Sequence, residues 1–536
     1  MRVAIYDTTL RDGTQGENIN FSVEDKIRIA RKLDDFGIDY IEGGWPGSNP
    51  RDRDFFEAAK ALKLKHAKMA AFGSTRHAKN KVEDDDNVRL LLESETPVVT
   101  IFGKSWNLHT ERALRVSEEQ NLEMIGSTVA YLKSNGREVI YDAEHFFDGY
   151  KSSRDFALKT LDAAAKAGAD ILVLCDTNGG TLPHEVSEMV SDVRKNFGGI
   201  IGIHTHDDSG VGVANAIAAI ELGCSHVQGT INGYGERCGN SNLVPVIANL
   251  QLKLGHECVS DENLKKLTQL ANYVADTANL QVPNGQAFVG RSAFAHKGGI
   301  HVSAVLRDAS TYEHIEPEAV GNKRRVLVSD LSGRANIFYK LEEKGWGEKL
   351  DDAARTTLLA RIKEMENEGY ELEGAEGSFE LLVRETVQPD HFLFDLEKMS
   401  VQTQKKGGER TQHKVEMVVR TRDGGQRWAE ETSEGGPFDA MATALRKCLS
   451  ETYPQVQEVR LTDYKVRVLD ANKGTAAKVR VLVTWADSKD RWTTVGVSDD
   501  VLEASWNALC DSLKLELLRL KEADGSSEEK VAAEKA

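Results

Sequence analysis

The chain has 536 residues, 40% of them hydrophobic and 29% charged, the composition of a soluble globular protein with room for roughly two to four domains. A net charge of −17 argues against nucleic acid or an anionic membrane as a partner. Six scattered cysteines without a CxxC pair, no apolar run of membrane length, and a start that runs directly into VAIYD without room for a signal peptide together predict a cytoplasmic protein.

Along the chain, short apolar runs recur, each followed by a charged stretch of helical period. The runs are Val3–Tyr6, Tyr40–Ile41, Met69–Phe72, Val98–Phe102, Val139–Tyr141, Ile171–Leu174, Ile200–Ile203 and His226–Gly229. Helical patterns such as Val23–Phe36, Ser117–Ser134 and Arg154–Ala167 lie between them. Strands alternating with helices pair in parallel through right-handed crossovers. Eight such units within 260 residues predict a closed (β/α)8 barrel. An open doubly wound sheet is the rival, but its Gly-rich phosphate turn is missing after the first strand.

In a barrel of this kind the chemistry sits where strands end. Strand one ends in Asp7, then Arg11, Asp12 and Gln15; strand two ends in Glu42; strand five ends near Asp142 and Glu144. Strand six leads to Asp176, Thr177 and Asn178, strand seven to His204, His206, Asp207 and Asp208, and strand eight to Asn232, Glu236, Arg237 and Asn240. In HTHDDSGVG, residues two apart on a strand share a side, so His204 and His206 converge while Thr205 faces away. A bare HxH is more often incidental. At a strand end, beside two aspartates and a Gly-rich turn, it predicts a metal site, with Asp12 the natural third ligand and Asn240 a further carbonyl oxygen. Arg11 beside Asp12 can hold a carboxylate or polarise a carbonyl through paired hydrogen bonds, where alone it would read as a surface ion pair.

At this point the residues carry a family resemblance. LRDGTQ at 10–15, followed by Lys26, and IGIHTHDDSGVG at 201–212 resemble the two signature segments of the 2-isopropylmalate synthase/homocitrate synthase/citramalate synthase family. That family belongs to the barrel superfamily that also includes 3-hydroxy-3-methylglutaryl-CoA lyase. The likeness continues through GYGERCGN and FAHKGGIHVSA to a C-terminal regulatory-type domain and covers nearly the whole chain. It implies a divalent metal (Zn, Mn or Mg) at Asp12, His204, His206 and Asn240. It further implies Arg11 polarising a keto group, Thr177 holding a keto-acid carboxylate with Gln15 and Glu42 beside it, and Glu144 as the family's active-site glutamate. His301 and Tyr312 match residues of the linker, the histidine being one that the family brings to the partner subunit's active site. The implied reaction is an acyl transfer. A base removes a methyl proton from acetyl-CoA, the enolate attacks a 2-keto acid, and water hydrolyses the thioester. Glu144 and a water held by His301 are both candidates for the base.

IEGGWPGSNPRD and YDAEHFFDGY resemble the citramalate-synthase branch, which implies pyruvate as the keto acid; Trp45 and Phe146 can crowd a pocket and favour a small methyl group, with a place in the core as the alternative for either. The alternative is 2-oxoisovalerate, the substrate of the 2-isopropylmalate synthases. Two readings of other classes are a lyase running carbon–carbon cleavage on the same barrel and a non-catalytic amino-acid sensor. The complete metal set argues against the sensor, and the linker histidine against the lyase.

The expected division is a barrel over residues 1–275, linker subdomains over 276–390, a duplicated α+β domain over 391–522 and a flexible tail over 523–536. In the linker, Lys323, Arg324 and Arg325 are a candidate site for coenzyme A phosphates, with a solvated loop as the alternative. The duplication is visible directly. HKVEMVVRTRDGGQRW and AKVRVLVTWADSKDRW align without gaps at an offset of 64, pairing Trp428 with Trp492, and the register continues through Ala440/Ala504, Leu445/Leu509 and Leu449/Leu513. The resemblance implies that this module dimerises and binds an end-product amino acid, isoleucine for the pyruvate branch, in a homodimer.

Overall fold

All eight apolar runs are parallel strands: β1 (Ala4–Asp7), β2 (Tyr40–Gly44), β3 (Lys68–Ser74), β4 (Val98–Lys104), β5 (Glu138–Glu144), β6 (Ile171–Asp176), β7 (Ile200–Thr205) and β8 (His226–Gly229). They follow one another in order, and β1 pairs with β8 from Ala4↔His226 to Asp7↔Gly229, closing the barrel. In this computed structural model the described residues are 1–328, 334–343, 345–346, 349–387, 392–487 and 490–533. Contacts divide the chain into two units, Met1–Phe294 with Glu313–Arg324, and Ala295–Tyr312 with Arg325–Ala536.

Strand alternation divides the barrel's side chains into two sets. One set, including Ile5, Ile41, Val99, Ile101, Val139, Leu172, Ile201, Ile203 and Val227, is fully or almost fully buried in one continuous apolar core with the surrounding helices. The other forms a second cluster of Tyr6, Ala70, Val98, Ile140, Ile171, Val173 and Cys175. The helices begin where local chemistry permits. Val23–Phe36 opens on Ser22, whose side chain accepts from the Asp25 N–H while Asp25 reaches back to the Ser22 N–H, and it ends on Gly37 at φ +95. The expected helices Ser117–Ser134 and Arg154–Ala167 are present as Glu118–Ser134 and Arg154–Lys166, the first capped by Ser117.

In the second unit, the helix-like Ala354–Glu368 is the helix Asp352–Glu368. Arg324, in the first unit, is held by both carboxylate oxygens of Glu313 at 2.7 and 2.6 Å, so its charge is already matched within the fold, and Lys323 is exposed. Of the stretch KRRVLVSDLSGRANI, residues 329–333 lie outside the described residues.

Both copies of the repeat form a three-stranded antiparallel sheet followed by a helix: Phe394–Gln404, Gln412–Thr421, Gln426–Ser433 and Pro437–Leu449, then Arg460–Val468, Val479–Ala486, Arg491–Ser498 and Val501–Ala533. The helix positions match as aligned, with Ala440, Ala504, Leu445, Leu509, Leu449 and Leu513 all buried. The third strands do not. Met417 pairs with Ala429, but its counterpart Val481 pairs with Gly496 rather than Thr493, a register difference of three residues. An odd shift turns the opposite side chains inward. Trp428 is therefore 64% exposed while Trp492 is 4% exposed. Val495 and the partly buried Leu482 and Val497, on the outer side of the second sheet, pack with the helices of 334–387.

The last helix continues to Ala533, through the segment expected to be a tail; its Glu, Lys and Ala content is helix-forming. Among the described residues, no helix is long and apolar enough to cross a membrane, and no cysteine is paired.

Candidate active site

The first loop is built around Asp7. This carboxylate accepts from the Thr9 N–H at 3.0 Å and the Thr9 hydroxyl at 2.8 Å, while Thr9 accepts from the Ile231 N–H at 2.9 Å. Desolvation pushes the Asp7 carboxyl up to about 7. The loop so fixed carries Arg11 and Asp12 over the strand ends. Arg11 donates Nε–H to Glu42 Oε1 at 2.5 Å, its Nη1 lies 2.8 Å from Asp12 Oδ1, and its guanidinium lies 3.8 Å over the Phe72 ring. Glu42 is fully buried and also accepts from the Tyr6 hydroxyl at 2.7 Å. It contacts Arg11 and does not line the cavity.

His204 on β7 and His206 just past its end point to one side, while Ile203 and Thr205 face away, as the alternation requires. Their Nε2 atoms lie 3.3 Å apart, and Asp12 Oδ2 is 3.4 Å from His204 Nε2. Each of the three offers one ligand atom, all within 4.8 Å of one another. His204 Nδ1 lies 2.8 Å from Gln228 Oε1, and Gln228 Nε2 donates to Asp142 Oδ1 at 3.0 Å. An amide oxygen can only accept, so His204 carries its proton on Nδ1 and presents a lone pair at Nε2. Asn240 Nδ2 lies 2.8 Å from Asp12 Oδ2 and 3.2 Å from His204 Nε2, while Asn240 Oδ1 and His206 Nδ1 are buried without a hydrogen-bond partner among the described residues. Exchanging the amide ends of Asn240 turns its oxygen toward Asp12 and His204. Acceptor atoms crowded this closely, with an orphaned amide oxygen beside them, fit a divalent cation.

The same neighbours set the protonation of these three groups. Desolvation opposes charge on Asp12, but Arg11 and His204 outweigh it and hold the carboxyl well below its ordinary range. Desolvation also opposes charge on His204, where Asp12 prevails and raises the pKa. For His206 desolvation and His204 act together and lower it to about 4. The pair is thus poised with at least one neutral imidazole at neutral pH.

The cavity at this point is about 210 Å³, with Arg11, Asp12, Gln15, Asp142, Glu144, Thr177, His204 and His206 on its polar side and Trp45, Phe72 and Phe102 among its apolar lining. Glu144 forms an ion pair with Lys104. The Thr177 hydroxyl accepts from the His145 N–H at 2.9 Å, leaving its own proton free to donate to a ligand. The other aspartates hold loops. Asp176 accepts from Thr181, Asp207 from the Gly212 N–H at 2.6 Å, and Asp208 pairs with Arg237.

Of the two aromatic candidates for the pocket, Trp45 lines it, whereas Phe146 is fully buried in the core between barrel and helices. Gln228, Phe72 and Phe102 have no counterpart in the sequence reading. Gln228 was findable, as the inward residue two after His226 on β8; the two phenylalanines close apolar runs and read as core. His301 and Tyr312 belong to the second unit, where both are exposed and their rings lie 4.4 Å apart.

Residues 2–274 match the HMGL-like family, 288–370 the homocitrate synthase post-HMGL domain-like family, and 373–516 the LeuA allosteric (dimerisation) domain. The (R)-citramalate synthase of Aquifex aeolicus is 52% identical over 97% of this chain and 99% of its own length. That of Geobacter sulfurreducens is 52% identical over 98% and 99%. The 2-isopropylmalate synthase of Methanocaldococcus jannaschii is 30% identical over 96% and 94%.

Proposed function

The chain belongs to the HMGL-like enzymes and, within them, to the (R)-citramalate synthase family, and from that membership we infer that it condenses acetyl-CoA with pyruvate to give citramalate and free CoA. The observation that carries this reading is the convergence of Asp12, His204 and His206 beside Arg11 in one small cavity. These three, with Asn240, hold a divalent cation (Zn, Mn or Mg), which when bound supplies Lewis acidity toward the keto acid.

The chain's own groups do the rest. Arg11, oriented by Glu42, donates to the keto oxygen as negative charge develops there. Thr177 donates to the carboxylate, and Gln15 borders the same space. A base removes a methyl proton from acetyl-CoA, the carbanion forms a bond to the keto carbon, and the new alkoxide takes up a proton. Water then adds to the thioester carbonyl and CoA leaves as the thiol. Glu144, a cavity carboxylate ion-paired with Lys104, or a water held by His301 serves as that base. His301 and Tyr312 act in the active site of the partner subunit of a homodimer, the duplicated C-terminal module binds isoleucine as feedback effector, and the enzyme works in the cytoplasm.

Turnover with acetyl-CoA and a panel of 2-keto acids, read as free thiol, tests the assignment. Pyruvate is expected to give the highest kcat/KM. A preference for 2-oxoisovalerate would move the chain to the 2-isopropylmalate synthases, and thiol release that needs no keto acid would overturn the reaction.

A further inference from the structure

The polar lining of the cavity gathers every group that can hold a carboxylate, a carbonyl oxygen or a cation, which leaves the substituent on the keto carbon to face the aromatic lining. Phe72 and Phe102 stack with centroids 5.4 Å apart and planes at 23°. Trp45 meets both edge-on, at 6.0 Å and 84° to Phe72 and at 5.6 Å and 83° to Phe102. Because Arg11 lies on Phe72, this wall adjoins the carbonyl-polarising group directly.

The indole is held at both ends. Its backbone N–H donates to Asp52 Oδ2 at 2.8 Å, and Nε1–H donates to Asn87 Oδ1 at 2.8 Å. Asn87 is itself fixed by donating Nδ2 to the Ser74 carbonyl at 2.8 Å. Asp52 accepts from the buried Lys26 ammonium at 2.5 Å, and that ammonium also donates to the Gly43 carbonyl at 3.1 Å. Gly44 has φ +152, and a Cβ there would lie 2.5 Å from the Asp52 carboxyl carbon. Glycine at 44 is therefore what leaves room for this carboxylate beneath the GGWPG turn. A ring swung aside to admit a larger substituent would strand Nε1–H and leave both phenylalanine edges.

We propose that Trp45 is the wall that restricts the keto acid to a methyl substituent, and that Asn87 and the Lys26–Asp52 pair are positioning residues that keep its indole in place. This rests on the reading that a 2-keto acid is held at Arg11 and the metal ligands, and it adds which residues outside the cavity set the selectivity.

The test is kcat/KM for pyruvate, 2-oxobutanoate and 2-oxoisovalerate at saturating acetyl-CoA, for the full-length parent and for Trp45→Phe, Asn87→Ala and Asn87→Asp. The parent is expected to prefer pyruvate. Trp45→Phe and Asn87→Ala should lower the pyruvate-to-2-oxobutanoate ratio at least about 10-fold, the discrimination a single methylene carries in an apolar pocket. The change should come through a lower KM for the larger acid, with KM for acetyl-CoA unmoved. Asn87→Asp keeps an acceptor for Nε1–H but gives up the donation to the Ser74 carbonyl, so its ratio should fall between those of the parent and Asn87→Ala; Trp45→Phe carries the test when Asn87→Ala fails to fold. Ratios within roughly twofold of the parent in Trp45→Phe and Asn87→Ala would overturn the wall while leaving the keto-acid reading intact. A parent that prefers 2-oxoisovalerate overturns both, and the parent measurement alone reports it.

Discussion

At the scale of single residues, the metal set is shaped by a group that cannot bind metal at all. Gln228 is fully buried between His204 and Asp142, and its amide is oriented with Nε2 donating to Asp142 and Oε1 facing His204 Nδ1. Leucine at 228 would leave His204 free to place its proton on either nitrogen, and outer contacts of this kind typically carry about 10–100-fold in metal affinity. We expect Gln228→Leu to weaken Zn²⁺ binding to the chelator-treated protein by that factor relative to the parent. Titration calorimetry with the same ion reads both; equal affinities for the leucine variant and the parent would remove Gln228 from the site's design.

At the scale of elements, the C-terminal repeat shows how far alignment reaches. Trp428 and Trp492 occupy the same place in the sequence repeat, yet the register difference puts one in solvent and the other against the sheet's own helix. Trp492→Ala is expected to cost about 3–5 kcal/mol and Trp428→Ala within about 0.5 kcal/mol, read as shifts in the urea unfolding transition of the second unit. Neighbouring helices add a pH dependence. Desolvation pushes the Asp511 carboxyl up to about 7 against the pull of Lys514, with Ser378 as its hydrogen-bond donor at 3.3 Å. A carboxyl raised in the folded state favours folding fully below its unfolded pKa, and that contribution is lost as pH rises from about 4 through 7. Asp511→Asn should therefore raise the thermal midpoint at pH 8 relative to the parent and flatten its fall between pH 4 and 8; an unchanged pH profile would mean the carboxyl is solvated. What was legible follows from the same physics. The barrel could be read because each strand is a short buried run with a polar residue at its exit, and HTH because strand period is two. The hairpin register of the repeat could not, since it depends on turn geometry and on which side of each sheet meets other helices. Phe72 and Phe102 read as core and Phe146 as a candidate for the pocket, and only closure of the barrel reverses them, placing the first two at the cavity and the third in the core.

At the scale of the whole molecule, the open issue is which chain completes each active site. Arg11, Asp12, His204 and His206 lie together in the first unit, whereas His301 and Tyr312 lie in the second, on the exposed side of the helix Gly299–Val305 and the turn after it. If His301 serves the partner's barrel, two inactive chains should complement each other. In a dimer of Asp12→Asn with His301→Ala, one site combines both defects, and the other pairs an intact Asp12 with an intact His301. Random pairing of equal amounts makes half of the dimers hybrid, so about a quarter of all sites should work. Coexpression of the two variants, with each alone as control and metal content measured on every sample, reads the outcome. Recovery near a quarter of parental turnover establishes the exchange. No recovery from hybrids shown to have formed would place His301 in its own chain's site. Loss of metal from His301→Ala would instead make the histidine part of the metal site, which the closure of Asp12, His204 and His206 around one point argues against.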